Sequence, residues 1–238
     1  MKRWLSIKDH KYFKYSQYVI GEIFIVTIGI LIAIQFNNWN TQRKSILKEI
    51  EALQNIKLSM TKDSEYRQLT IKINKEVKNS LEYIIDHMEK DLPYEVSLKY
   101  HFRSITKDYG LEYDYSSYES LKTIGFGLIS NDSLKSNIIS YYSYAEYWGS
   151  QGPERYTNML ERASESIFIK HFDEAWNRQN GMIPTDYELL KKDKEFRYFL
   201  KTLRNQNFWM IENPIDIITD KFIKISAEID EELMVLKK

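Results

Sequence analysis

Few residues of this 238-residue sequence stand at spacings that do chemistry. Its four histidines, His10, His87, His101 and His171, are far apart in the chain. No His-Glu-x-x-His pair puts two imidazoles on one helix face for zinc. The nearest thing to a metal-ligand set is His171 with Asp173 and Glu174, a cluster that on a helix reads as a solvated face. Ser59-Met-Thr-Lys62 has the Ser-x-x-Lys spacing of penicillin-recognising enzymes but lacks their companion motifs. Gly125-Phe-Gly127 starts like a dinucleotide-binding loop, yet Ser130 stands where the third glycine belongs, and no strand pattern precedes it. With no Cys, disulfides, cysteine-ligated zinc, iron–sulfur clusters and thiol catalysis are excluded. These residues predict no catalytic group, no metal and no cofactor.

One further ionisable residue stands out by its position. Glu22 lies a few residues inside the apolar run 18–36, where residues 23–34 carry no charge and only Thr27 and Gly29 interrupt large apolar side chains and Ala33. As a helix the run is about 28 Å long, close to the ~30 Å hydrocarbon core of a bilayer. Tyr15 and Tyr18 before it and Trp39 after it are placed to sit at headgroup level. The run ends in Gln35-Phe-Asn-Asn-Trp39-Asn40, which offers no small-residue cleavage site, so the segment reads as an uncleaved anchor. Glu22, Gly29, Ala33 and Phe36 share one helical stripe, and Gly29-x-x-x-Ala33 lets helix backbones approach closely. That stripe reads either as a homo-oligomeric seam with Glu22 at one end, or as ordinary membrane-helix composition with Glu22 reaching the interface. Lys2, Arg3, Lys8, Lys11 and Lys14 precede the span against Arg43, Lys44 and Lys48 after it. That bias predicts a cytoplasmic N-terminus and a periplasmic C-terminal region.

The string Gly21-Glu22-Ile23, Gly29-Ile-Leu-Ile-Ala33, Gln35 and Asn37-Asn38-Trp39-Asn40, followed by Arg43-Lys44, resembles the opening signature of a bacterial domain-of-unknown-function family. The stretch Tyr118-Glu-Ser-Leu-Lys-Thr-Ile-Gly125, with Leu134 and Tyr141-Tyr142, resembles that family's second recurring block. The two cover about a quarter of the chain. The resemblance implies a single-pass inner-membrane protein of Gram-negative bacteria with a helical C-terminal region, and it brings no catalytic residues.

The elements beyond the anchor follow from periodicity and punctuation. Eight Gly and four Pro favour long helices, and no period-two alternation is sustained. Ile46, Ile50, Leu53 and Met60 keep a heptad-like spacing, which Ser64 and Arg67 interrupt, and Ile73, Val77, Leu81, Ile84 and Met88 resume a stripe that Pro93 ends. Ser116-x-x-Glu119 and Thr185-x-x-Glu188 match capping boxes, Gly125 supplies a stop, and Asn131 or Asp132 starts another helix. Gly149 and Gly152 close that helix and Pro153 opens the next. Asn213-Pro214 breaks the chain before a last helix striped by Ile215, Ile218, Phe222, Ile225, Ile229 and Leu233. The expected architecture is all-α: a leader over 1–17, a transmembrane helix over 18–36, a stalk or first bundle helix over 37–92 and a helical bundle over 93–238.

Tyrosine is the unusual residue of the bundle, with one group at Tyr109, Tyr113, Tyr115 and Tyr118 and another at Tyr141, Tyr142, Tyr144, Tyr147 and Trp148. Helical spacing packs such rings between helices with hydroxyls at the edge. The functional alternative is an aromatic groove lined by Tyr118, Tyr141, Tyr142 and Trp148. Glu119 and Lys122 make a surface ion pair. The chain has 34 basic and 34 acidic residues, which argues against nucleic acid as a partner. Five bases against Asp9 in the first fourteen residues leave the remainder net acidic. The function expected is a membrane-anchored interaction, sensory or scaffold module. Its partners are the lipid bilayer and further copies of itself or another membrane protein. The alternative is a subunit of an ion-conducting or membrane-disrupting effector, of use in bacterial defence, with Glu22 in the pore.

Overall fold

A computed structural model describes residues 3–107, 112–175, 177 and 179–238, with side chains described from residue 18 onward. Tyr109 and the start of the basic leader lie outside the described residues, as do the side chains of Tyr15, His10 and the rest of the leader. The described residues are helical almost throughout and form no strand, only an isolated bridge between Phe172 and Pro184. The helices are α1 (Arg3–Glu89), α2 (Leu98–Ser104), α3 (Ser116–Ile124), α4 (Asp132–Ala163), α5 (Ile169–His171), α6 (Tyr187–Lys192), α7 (Lys194–Asn207) and α8 (Asn213–Leu236). The all-α expectation holds. The chain divides into two compact units, Met1–Glu51 and Ala52–Lys238.

In the first unit, every residue of 18–40 is exposed. Phe24 is 64% exposed, Ile25 72% and Ile32 62%, so the helix is apolar and uncovered on every face. It is the one described helix long and apolar enough to cross a membrane. The Thr27 hydroxyl donates to the Ile23 carbonyl at 2.8 Å, which satisfies its polar group within the helix itself.

In the second unit the C-terminal part of α1 is the central strut. Leu53, Ile56, Met60, Asp63, Arg67, Thr70, Asn74, Val77, Leu81, Ile84 and Met88 are all buried. They alternate spacings of three and four, the seam of a helix packed along its length against neighbours. The seam does not break at Arg67, as apolar periodicity alone suggests; it continues through four polar residues. Below them, Val77, Leu81, Ile84 and Met88 join Phe102 of α2, Leu160 of α4, and Phe196 and Leu203 of α7 in one apolar core. Above them, α4 and α8 pack along each other. Asn131 there donates to Glu232 at 2.7 Å and Asn137 to Glu228 at 2.8 Å, while Lys57 of α1 meets Asp230 of α8 at 2.5 Å.

Several boundaries differ from the sequence expectation. Helix α1 ends at Glu89, short of Pro93, at a turn where Asp91 takes φ +52°. Helix α4 runs through Gly149, Gly152 and Pro153 as one element and continues into a π turn at Ser164–Phe168. Pro153 removes one hydrogen bond there without ending the helix, because packing on both sides holds the backbone. Asn213-Pro214 likewise does not break the chain: a π turn, Phe208–Glu212, leads into α8, and Pro214 occupies its first turn where a missing N–H costs nothing. Neither capping box forms. Ser116 donates its N–H and its hydroxyl to Asp114 Oδ1, at 3.0 and 2.5 Å, and the α6 cap is Asp186, which accepts from Leu189 N–H at 3.0 Å. Thr185 instead donates its hydroxyl to the His171 carbonyl. Asn131 does cap α4, accepting from Leu134 N–H at 3.1 Å. Gly125 ends α3 at φ +108°, a conformation that favours glycine.

Candidate functional site

Glu22, Gly29 and Ala33 are all exposed on the first-unit helix, and a Cβ added at Gly29 meets nothing within 4 Å. The stripe is thus open for a second helix to approach. Tyr18 is 72% and Trp39 56% exposed, with Phe36 5.7 Å from the Trp39 ring and the Arg43 guanidinium 5.8 Å above it. An indole flanked by a cation and adjoining an apolar helix suits a bilayer interface.

The proposed aromatic groove is filled by its own rings. Tyr118 stacks on Tyr142 at 4.4 Å, and Tyr141 meets Tyr142 edge-on at 5.1 Å. Tyr141 and Tyr142 are fully buried. Trp148 packs instead with Tyr147 at 5.1 Å and Tyr144 at 6.3 Å. The structure therefore brings together three of the four residues, as packing between α3 and α4.

The other motifs are structural. Ser59 is buried and its hydroxyl lies 2.7 Å from that of Ser117, whereas Lys62 is exposed. His171 Nε2 lies 2.5 Å from Asp193 Oδ2, a carboxylate that also caps α7, so Asp173 and Glu174 are not its partners. No group of residues able to hold a metal occurs among the described residues. Glu119 and Lys122 pair at 3.2 Å on the surface.

Sequence periodicity missed the polar layer of the second unit. Asp63 is 1% and Arg67 2% exposed, one turn apart on α1. The Asp63 carboxylate accepts from the Asp114 N–H at 2.7 Å through Oδ1, while Oδ2 has no hydrogen-bond partner among the described residues. Burial pushes Asp63 up to about 6, against the pull of the Asp114 N–H and of Arg67. No ion pair closes Asp63 onto Arg67 among the described residues. Burial likewise raises Tyr141 to about 12 and Tyr142 higher still, so both hydroxyls keep their protons. Further along the layer, Asn207 donates to Asn74 Oδ1 at 2.6 Å. The signal for this layer is the unbroken three–four spacing, which a count of apolar residues passes over.

No family model, curated protein or solved structure matches the chain.

Proposed function

We propose that this chain is a single-span membrane-anchored interaction or sensory module. The observation that carries this reading is the uncovered helix of the first unit, whose large apolar side chains are exposed on every face while the second unit buries its own core. Exposed apolar area on that scale is costly in water, and lipid is the solvent that removes the cost. The excess of basic residues before the span supports a cytoplasmic N-terminus and a periplasmic second unit. The open Glu22–Gly29–Ala33 stripe supports self-association through the span.

Expression of the full chain in bacteria followed by alkaline carbonate extraction tests the anchor. The protein stays with the membrane pellet, and replacing Ile25 and Ile32 together by Asp releases it. Extraction of the unaltered chain into the supernatant overturns the reading. Reporters fused at each end check orientation, and crosslinking in membranes checks self-association: Gly29→Leu abolishes the crosslinked species if the stripe is the seam.

A further inference from the structure

A cleft of about 230 Å³ opens on the second unit where α1 passes the end of α7 and the π turn Phe208–Glu212. Leu81 of α1 and Asn207 of α7, both buried, form its floor. The π turn beside it is fixed at both ends. Asn207 donates to Asn74 Oδ1 at 2.6 Å just before the turn, and Glu212 at its end accepts from the Lys78 ammonium of α1 at 2.8 and 3.0 Å. Between those ties Phe208 and Trp209 also line the cleft, 44% and 58% exposed, with their rings edge to face at 5.1 Å. Large rings left in water beside an ordered cleft are costly unless something covers them. A single π turn between helices widens the backbone locally, a feature that recurs at functional sites.

The cleft also holds a cation that the chain leaves open. Lys78 is neutralised by both oxygens of Glu212. Arg204, on the last turn of α7, has Glu82 of α1 at 3.8 Å, beyond hydrogen-bond reach. Glu89, the other carboxylate it bears on, is paired with Lys201 at 2.7 Å. The lining charges are thus Lys78 and Arg204 against Glu212, and the surplus is a planar guanidinium with donors to spare. We propose that this cleft binds one small aromatic monocarboxylate, of phenylacetate size, with its carboxylate on Arg204 and its ring against Phe208 and Trp209. The fork of the guanidinium matches two carboxylate oxygens side by side. A single negative charge balances the lining, and the volume, below that of drug-sized sites, admits a single ring on a short chain. Because both ends of the π turn are already tied, little order has to be gained on binding. The site lies wholly in the second unit and does not rest on the membrane reading, so its failure would leave that reading intact.

The test is fluorine NMR of para-fluorophenylacetate titrated into the full chain in a non-ionic detergent at about pH 7, against the same micelles without protein. The probe binds saturably, with Kd on the order of 1 mM or tighter, and unlabelled phenylacetate displaces it. The neutral para-fluorophenylacetamide, ring without charge, binds about tenfold more weakly. Acetate, charge without ring, displaces the probe about tenfold less well than phenylacetate does. Arg204→Gln weakens binding about tenfold or more, and Trp209→Ala about fivefold. Glu82→Gln, which frees the guanidinium, tightens binding about two- to fivefold, a gain that misfolding does not produce. The amide binding as well as the carboxylate, an affinity unchanged in Arg204→Gln or lowered in Glu82→Gln, or no saturable binding to the parent chain, overturns the proposal.

Discussion

Gly152→Ala separates a contact made by packing from a preference of the local chain. Gly152 is buried inside α4, and a Cβ built there lies 2.7 Å from the Met210 carbonyl oxygen in the π turn Phe208–Glu212. Ordinary carbon–oxygen contacts between helices are about 3.3–3.6 Å, so one backbone must move by about 0.6 Å or more. Met210 cannot give freely, because Asn207 and Ile211 on either side of it are buried. Overpacking of this kind costs about 1–3 kcal/mol. Against it stands the gain of about 1 kcal/mol for Ala over Gly in a helix interior. The balance is a loss of up to about 2 kcal/mol, or a Tm lower by up to about 4–8 °C for a unit of this size. Unfolding of the full chain in detergent, followed by helical circular dichroism against temperature, reads it directly. A variant more stable than the parent refutes the reasoning, since only a loose contact between α4 and the π turn lets the propensity gain prevail.

Two further outcomes follow from the polar layer. Asn207→Ala leaves Asn74 Oδ1 without its 2.6 Å donor in a buried setting and lowers stability by about 1–3 kcal/mol, measured by urea unfolding; a change under about 0.5 kcal/mol removes the pair from the layer's energetics. Asp63 has a folded pKa of about 6, above its ordinary value of 3.8, so the fold favours its neutral form. That contribution is complete below about pH 4 and is lost as pH rises through 6, a change on the order of 3 kcal/mol by pH 7.5. Asp63→Asn therefore loses less stability between pH 4.5 and 7.5 than the parent does, and an identical pH profile in the two proteins contradicts the assignment.

The parts of the fold that sequence made legible are those set by local chemistry. Asn131 caps α4 through its own side chain, Gly125 stops α3 because it takes φ +108°, and the run 18–36 is apolar on every face of any helix it forms. The parts that were not legible depend on what lies across the interface. Gly152-Pro153 has the local pattern of a helix boundary, yet the helix runs on because Gly152 is needed for the approach of the π turn. Asn213-Pro214 looks like a break, yet Pro214 falls where its missing N–H is harmless. Asp114 takes the capping work of Ser116 from two residues upstream, outside the spacing that defines a capping box.

The same reasoning explains why the layer around Arg67 was read as an interruption. Hydrophobic periodicity asks of each seam position only whether the residue is apolar, and Asp63, Arg67, Thr70 and Asn74 fail that question in succession. Their burial is made possible by partners far off in sequence: Asp114 for Asp63 and Asn207 for Asn74. A polar residue with such a partner can occupy a seam, because its hydrogen bond replaces the one lost to water. Arg67 keeps the seam spacing too, with Tyr141 of α4 and the Phe222 ring of α8, 5.4 Å from its guanidinium, as neighbours far off in sequence. Burial along this part of α1 is therefore set by contacts across the bundle and not by the count of apolar residues along the helix.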